Sequence, residues 1–236
     1  MLISGSILGL ESYWHEIIKV LREIIPVYDK VNSAISLGKD VEYREHGISG
    51  RVKQNNLVLD AGSGYGNMSK IALRQCDNKV NIIMLDPIPE MLARAKIEFN
   101  SGAFLVSGIF EHLPFKDNIF DAVMCGYSFR DAISIRTAIA EFSRILKDGG
   151  SLIIVDIGKP DNAFNRFCVS FYLKYVLGIL AFFAAGNLGL KFRVIYGTYK
   201  RLPKNADLDK MLKEKFNKVE FETRMMGGAV IVAAYK

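Results

Sequence analysis

VLDAGSGYGN, residues 58–67, reads as the end of a buried strand that enters a glycine-rich turn and then a helix. Gly62, Gly64 and Gly66 alternate, so the backbone can turn tightly and a ligand can approach where any side chain would block it. Asp60 closes the strand, placed to accept from a cationic group, and Ser63 and Ser69 flank it. Ligands of open α/β sheets lie in the crevice outside the carboxyl ends of the strands. Alternating glycines alone do not select a chemistry, because dinucleotide-binding oxidoreductases share them. The acid directly before them does discriminate, since a dehydrogenase usually has an apolar residue there. A tight strand–helix turn without a ligand is the remaining alternative.

Outward from this turn, apolar runs of strand length alternate with helical periodicity. NLVLD, VNIIMLD, AFLV, FDAVMCG and SLIIVDI predict strands; NMSKIALRQC, PEMLARAKIEF and Ser134 to Leu146 predict helices, and Lys147 to Gly150 a turn. Such runs, alternating with helices, imply a parallel sheet covered on both faces. After a helix over Leu208 to Phe216, VEFETR and GGAVIVAAY follow each other with no helix between, which suits antiparallel pairing. The chain begins with helices: Glu11 to Ile25, ended by Pro26, then VYDKVNSAIS to Gly38, then DVEYREHGISGRVK.

At 236 residues, half of them apolar, the chain has room for one domain with a full core. The net charge of +6 sits between Lys191 and Lys218, where nine Lys/Arg face three Asp/Glu. This excess suits either a solvated surface or contact with an anionic membrane. No aromatic–basic interleaving or helix-turn-helix supports nucleic acid. Cys76, Cys125 and Cys168 are isolated, without metal spacing, and indicate buried thiols in a reducing, cytoplasmic setting. His15, His46 and His112 are scattered and imply no metal site. MLISGSILGL lacks a basic flank and a cleavage site, against a cleaved signal peptide.

Asp86 ends the second strand, GIFEHLPFKDNIFDAVMCG supplies a loop and the fourth strand, and together with DAGSGYG they resemble class I S-adenosylmethionine-dependent methyltransferases. That resemblance covers about Asn56 to Ile157. By it, Gly62 to Gly66 pass the methionine part of the cofactor, Asp86, with Pro87 beside it, takes the ribose, and Ile109–Phe110 take the adenine. Gly126 ends the fourth strand in the same crevice. Ile109 replaces an Asp or Asn common among relatives, so packing and backbone amides must hold the adenine. The flanks narrow the resemblance: YDKVNSAISLG, YSFRD, ILKDGGSLIIVDIGKP and GGAVIVAAYK look like the signatures of the ubiquinone/menaquinone C-methyltransferase (UbiE) family. Asp40, Tyr43, Ser128, Asp131 and Ala233 depart from that family's residues. The resemblance implies an α/β, Rossmann-like fold with a seven-stranded, mostly parallel sheet, an antiparallel C-terminal strand, a helical N-terminal preface and a helical insertion before the last strands. One methyltransferase domain then spans 1–236, with an N-terminal cap at 11–53, the cofactor core at 54–158, the insertion at 160–205 and a C-terminal unit at 206–236.

The implied reaction is methyl transfer from S-adenosyl-L-methionine to a ring carbon of a reduced, prenylated quinone. Arg130 is the candidate for stabilising a developing phenolate and Asp131 for accepting its proton. An ion pair capping the next helix is the alternative for Asp131. Tyr28 and Asn32 belong to a lid over the cofactor or to simple helix packing. YVLGILAFFAAGNLGL, residues 175–190, carries no charge but falls short of the ~20 residues that span a bilayer. It suits a lipophilic cover for the substrate's tail at a membrane surface, or a core or homodimer helix. Rival functions are an O- or N-methyltransferase for another small molecule or lipid, a non-catalytic cofactor-binding subunit, and an NAD-dependent oxidoreductase.

Overall fold

The computed structural model describes residues 18–100 and 103–236. MLISGSILGL, the start of the Glu11–Ile25 helix and His15 lie outside the described residues. Seven strands form one sheet: β1 (Leu57–Ala61), β2 (Asn81–Asp86), β3 (Phe104–Ser107), β4 (Phe120–Gly126), β5 (Leu146–Ile157), β6 (Lys218–Arg224) and β7 (Ala229–Tyr235). Their order is β3-β2-β1-β4-β5-β7-β6. The first five pair in parallel, and β7 inserts antiparallel to both β5 and β6. The order reverses between β1 and β4, the point where open α/β sheets leave a crevice for ligands.

Successive side chains of a strand point to opposite faces, and each face here has its own core. Val58, Met124 and Ile153 face α3 (Asp40–Ile48) and α4 (Asn67–Gln75). Leu59, Val123 and Ile154 face α6 (Ile135–Ile145) and α10 (Asn205–Lys213). α5 (Pro89–Glu98) closes the β2–β3 end, burying Met91 and Ala95 against Met84. In front stand α1 (residues 18–24) and α2 (Tyr28–Ile35), joined by a 3₁₀ turn at Ile25–Val27 that holds Pro26.

The predicted turn over Lys147–Gly150 is taken into the sheet. Leu146 already pairs with Phe120, the next pair is Ala122 with Ser151, and the residues between bulge out. The end of the chain fixes this bulge, since Gly149 N–H donates to Lys236 O at 2.9 Å and Lys236 N–H to Gly150 O at 3.0 Å. α10 starts three residues before the predicted Leu208, because Asn205 N–H donates to Lys159 O at 2.9 Å and anchors the first turn.

The insertion is one helical run from Ala163 that is longer than its uncharged part. α7 (Ala163–Phe171), a π turn (Tyr172–Val176) and α8 (Leu177–Ala185) follow without a break. At Gly186, φ is +60°, and the chain folds back so closely that a Cβ on Gly189 would stand 1.8 Å from Ala181 O. A 3₁₀ segment (Gly186–Arg193) and α9 (Val194–Arg201) return to the core. By length and composition Ala163–Arg201 is apolar enough to cross a membrane, yet only 22% of its most apolar window is buried. The run is split lengthwise. Leu173, Leu177 and Ala181 pack with Ile24, Val31 and Phe192, while Phe167, Phe171, Tyr175, Ile179 and Phe183 face outward.

Candidate functional site

Three adjoining cavities lie at the carboxyl ends of the parallel strands. The first, about 60 Å³, is bounded by Gly62, Asp86, Pro87, Ile109, Phe110 and Asp131. The second is a crevice of about 10 Å³ between Tyr28, Asn32, Arg130, Asp131 and Thr198. The third, about 370 Å³, is walled mainly by apolar side chains of α2, α3, the insertion and the Met225–Gly228 turn, with Arg130 at its inner end. Asp131 borders the first and second, and Arg130 the second and third. The Arg130–Asp131 step is therefore the partition between a cofactor-side cavity and an apolar one.

The first cavity is shaped by the turn after β1. Gly62 has φ +65°, and a Cβ there would stand 2.4 Å from Ser128 Oγ and 2.8 Å from the Phe110 ring. Asp86 is buried, its Oδ2 accepting from Gly64 N–H at 2.8 Å and its Oδ1 from Ile88 N–H at 2.9 Å. Each oxygen keeps a lone pair for a vicinal diol. Burial pushes the Asp86 carboxyl up to about 6, against those two amides. Asp60 is fully buried. Its Oδ2 accepts from Ser69 N–H at 3.1 Å and Ser69 Oγ–H at 2.6 Å, and its Oδ1 has no partner within the described residues. Burial also pushes Asp60 up to about 6, with the Ser69 bonds opposing. A buried carboxylate oxygen without a donor fits an incoming ammonium.

The remaining predicted cofactor residues do other work or lie elsewhere. Ser69 orients Asp60, and Ser63 Oγ donates to Gly64 O at 3.3 Å. A Cβ on Gly66 would strike Phe99 and Met84, and one on Gly126 would strike Met68, so both glycines are needed for packing. Tyr28 borders the second cavity, its ring edge-on to Tyr65 at 6.0 Å and tilted against Phe192. Burial raises its hydroxyl pKa, with Arg130 and Arg44 opposing. Ile109 makes an isolated bridge with His112, and the Glu111 carboxylate beside it borders the same cavity. Glu111 Oε1 accepts from Ser134 N–H at 2.9 Å. Glu111 thus brings a carboxylate to the cavity that Ile109 lines, and the EH dipeptide between the apolar pairs Ile109–Phe110 and Leu113–Pro114 is its signal in the sequence.

Arg130 is held by a residue that the sequence reading passed over. Asp156, buried near the end of β5, accepts Arg130 N–H at 3.0 Å and the guanidinium Nη1 at 2.8 Å. Nη1 also donates to Tyr127 O, while Nε stands 3.8 Å from Asp131 Oδ1 and makes no hydrogen bond. Asp156 was findable, because β1 and β2 also carry an aspartate at or next to their last residue. Tyr127 takes φ +59°, a left-handed conformation that costs a non-glycine residue about 1 kcal/mol. Arg44 lies 4.6 Å from the Tyr127 ring and pairs with Asp40 at 2.8 Å, so the Asp40 departure is tied to Tyr127 through a buried cation.

Burial works against the Arg130 charge, but Asp131 and Asp156 outweigh it and hold the guanidinium above its ordinary range. Burial pushes the Asp131 carboxyl up to about 6, while Arg130, Thr198 and Arg201 oppose. Asp131 does not cap α6. Ser134 does, its Oγ accepting from Thr137 N–H at 3.3 Å, because Ala132 and Ile133 intervene between Asp131 and the helix. The arrangement thus offers a fixed cation and a poised carboxylate at one partition.

Comparison with known proteins identifies the family. The family model described as the ubiE/COQ5 methyltransferase family matches residues 11–236. The UbiE ubiquinone/menaquinone biosynthesis C-methyltransferase of Campylobacter jejuni is 32% identical over 171 residues, covering 69% of this chain and 72% of its own. The demethylmenaquinone methyltransferase of Thermus thermophilus is 27% identical and covers 89% of this chain and 96% of its own. Among solved structures, S-adenosylmethionine-dependent methyltransferases of Thermotoga maritima and Aquifex aeolicus share the fold. The first has a TM-score of 0.60 at 18% identity, covering 95% of this chain and 99% of its own. The second has 0.56 at 15%, covering 83% and 88%. The chain belongs to the ubiE/COQ5 methyltransferase family and is an S-adenosylmethionine-dependent methyltransferase.

Proposed function

We propose that this methyltransferase C-methylates the ring of a reduced, prenylated quinone at a membrane surface in the cytoplasm. The observation that carries the reading is the partition. One side of Arg130–Asp131 opens on the cavity of Asp86 and Gly62, the other on an apolar cavity of about 370 Å³. That volume lies within the range of small-molecule sites. Its walls of Ile35, Val169, Tyr172, Leu173 and Leu177 suit an isoprenoid tail, and its one buried cation suits a ring oxygen. The names of the Campylobacter and Thermus relatives favour the same class of acceptor.

Bound S-adenosylmethionine would be held by Asp86 at the ribose, Ile109, Phe110 and Glu111 at the adenine, and the Gly62–Gly66 turn with Asp60 at the methionine part. It supplies an electrophilic methyl on a sulfonium. Arg130 orients the acceptor hydroxyl and stabilises the developing phenolate. Asp131, ionised above about pH 6, accepts the hydroxyl proton, and the ring carbon beside the phenolate gains nucleophilicity. The activated ring carbon would take the methyl that the sulfonium supplies, with the sulfur keeping the electron pair of the broken bond. Loss of the ring carbon's own proton to solvent base as the product leaves would restore the aromatic phenolate, which takes back the proton held by Asp131. The lid of α2 and the insertion excludes water and aligns the two reactants.

The outward stripe of Phe164, Phe167, Phe171, Tyr175, Ile179 and Phe183 suits shallow burial in a bilayer interface. Part of the basic excess behind it is neutralised within the chain, Lys191 by Glu23 and Lys213 by Asp209. The free thiols of Cys76, Cys125 and Cys168 suit a reducing compartment. The test is a series of reduced quinones of increasing tail length, assayed in detergent micelles. We expect kcat/KM to rise by at least tenfold with the first isoprene units and then level off. Equal turnover of a tailless, soluble phenol would overturn the lipophilic acceptor.

A further inference from the structure

A fourth cavity, outside the methyl-transfer site, opens on the outer side of α7. It is about 310 Å³ and is bounded by Lys159, Arg166, Phe167, Ser170, Tyr199 and Lys200. Three cations converge on it, and among the described residues none of the three is paired with a carboxylate. Backbone carbonyls orient two of them instead. Lys159 Nζ donates to Lys200 O and Leu202 O, both at 2.9 Å, and Arg166 Nη1 donates to Pro160 O at 2.9 Å and Asp161 O at 2.7 Å. Asp161, the nearest acid in sequence, turns its Oδ1 to Ala206 N–H at 3.1 Å. Two hydroxyls complete the rim, with Ser170 Oγ 3.5 Å from Tyr199 OH.

We infer that the Lys159–Arg166–Lys200 pocket binds the phosphate of an anionic phospholipid headgroup, fixing how the enzyme sits on the bilayer. The position of Phe167 carries the choice of ligand. It lines this pocket and also belongs to the exposed stripe with Phe164 and Phe171, so the cationic pocket and the aromatic stripe adjoin at α7, which carries Arg166 and all three rings. At an interface the aromatics sink below the headgroups and the cations stay at phosphate depth. A soluble phosphate would need the cations but not the adjoining stripe. Lys159 sits below its ordinary pKa, first through burial and then through repulsion by the Arg166 and Lys204 charges. A phosphate relieves that repulsion. On α7, the pocket side (Ala163, Arg166, Ser170) flanks the stripe, and the opposite side (Cys168, Val169), continued by Tyr172 of the π turn, lines the apolar cavity. Headgroup binding therefore presents the tail cavity to the lipid from which its substrate comes, and the inference rests on the membrane reading above.

The test is co-sedimentation of the full chain with phosphatidylglycerol/phosphatidylcholine vesicles. Near an anionic surface each cation contributes about 1 kcal/mol, or roughly fivefold in affinity. Arg166→Gln with Lys200→Gln should lose roughly 25-fold, whereas Lys213→Gln with Lys215→Gln on α10 and its following turn should lose less than about twofold. Equal losses in the two pairs overturn the pocket and leave only diffuse attraction. Calorimetric binding of inorganic phosphate to the chain overturns the lipid as the pocket's ligand if saturating phosphate, at ionic strength matched with chloride, leaves vesicle binding unchanged. No binding of the unsubstituted chain at low salt overturns the membrane reading itself. Should the double variant lose S-adenosylmethionine binding, Lys200→Gln alone decides. Its ammonium sits 5.5 Å from the Tyr196 ring, and a roughly fivefold loss is expected.

Discussion

The turn after β1 and the insertion from Ala163 to Arg201 both line cavities at the carboxyl edge of the sheet, yet opposite constraints shape them. At the turn, backbone and ligand compete for space. Gly62 has no room for a Cβ, and Asp86 is fixed by two amides. In the insertion only the inner face is constrained, by Leu173, Leu177 and Ala181, and the outer face is free to be aromatic. Sterics dictate residue identity in the first region, whereas hydrophobicity dictates only composition in the second. The cofactor side should therefore break at single atoms, and the lipid side should yield gradually.

The largest effect is expected on the constrained side. Asp86→Ala removes an acceptor of two backbone bonds and the candidate ribose ligand, and should weaken S-adenosylmethionine binding at least 100-fold by calorimetry. Unchanged affinity would dissolve the contrast. Next comes the partition. Arg130→Gln should cut turnover about 1000-fold with cofactor affinity preserved. It should also destabilise the fold by about 3 kcal/mol in urea, because Asp156 is left buried without its cation.

The pH dependence then separates stability from activity. Asp60, Asp86 and Asp131 have folded-state values of about 6, above the ordinary carboxyl range. Such groups bind protons better when folded, so their contribution to stability is complete below about pH 4 and is lost as pH rises through about 6. Activity requires ionised Asp131 and should rise over that same interval with an apparent midpoint near 6. Asp131→Asn should lower turnover and remove that limb; a retained limb would assign it to another group.

The lipid side should give smaller changes. Cys168→Phe intrudes on the apolar cavity and should raise KM about tenfold for a long-tailed acceptor but leave a short-tailed one within about twofold. Phe183→Ser, at a side chain in a residue 81% exposed, should reduce vesicle binding a few-fold and shift stability by less than about 0.5 kcal/mol. A large stability loss would mean the stripe is covered in solution by another copy of the chain.

What the sequence disclosed follows the same division. The succession of strands, the acids near their carboxyl ends and the glycine turn were legible, because apolar runs, terminal acids and alternating glycines each have one physical cause. Asp156 escaped attention because its meaning depends on Arg130, 26 residues earlier, folding against it. Ser134, rather than Asp131, caps α6, a choice set by where the 3₁₀ turn at Phe129–Asp131 ends. The bulge over Lys147–Gly150 depends on the last residue of the chain, far beyond any local pattern. The uncharged stretch at 175–190 could be recognised as lipophilic, but only the reversal at Gly186 and the packing of Leu177 show which face is lid and which is free.

The most direct measurement is to incubate the purified chain with a reduced prenylated quinone lacking a ring methyl and with trideuteromethyl S-adenosylmethionine, then locate the label by mass spectrometry and NMR. The account predicts one trideuteromethyl group on a ring carbon, with the ring proton lost and both oxygens unmethylated. A label on oxygen, or transfer only to a soluble acceptor, would contradict it.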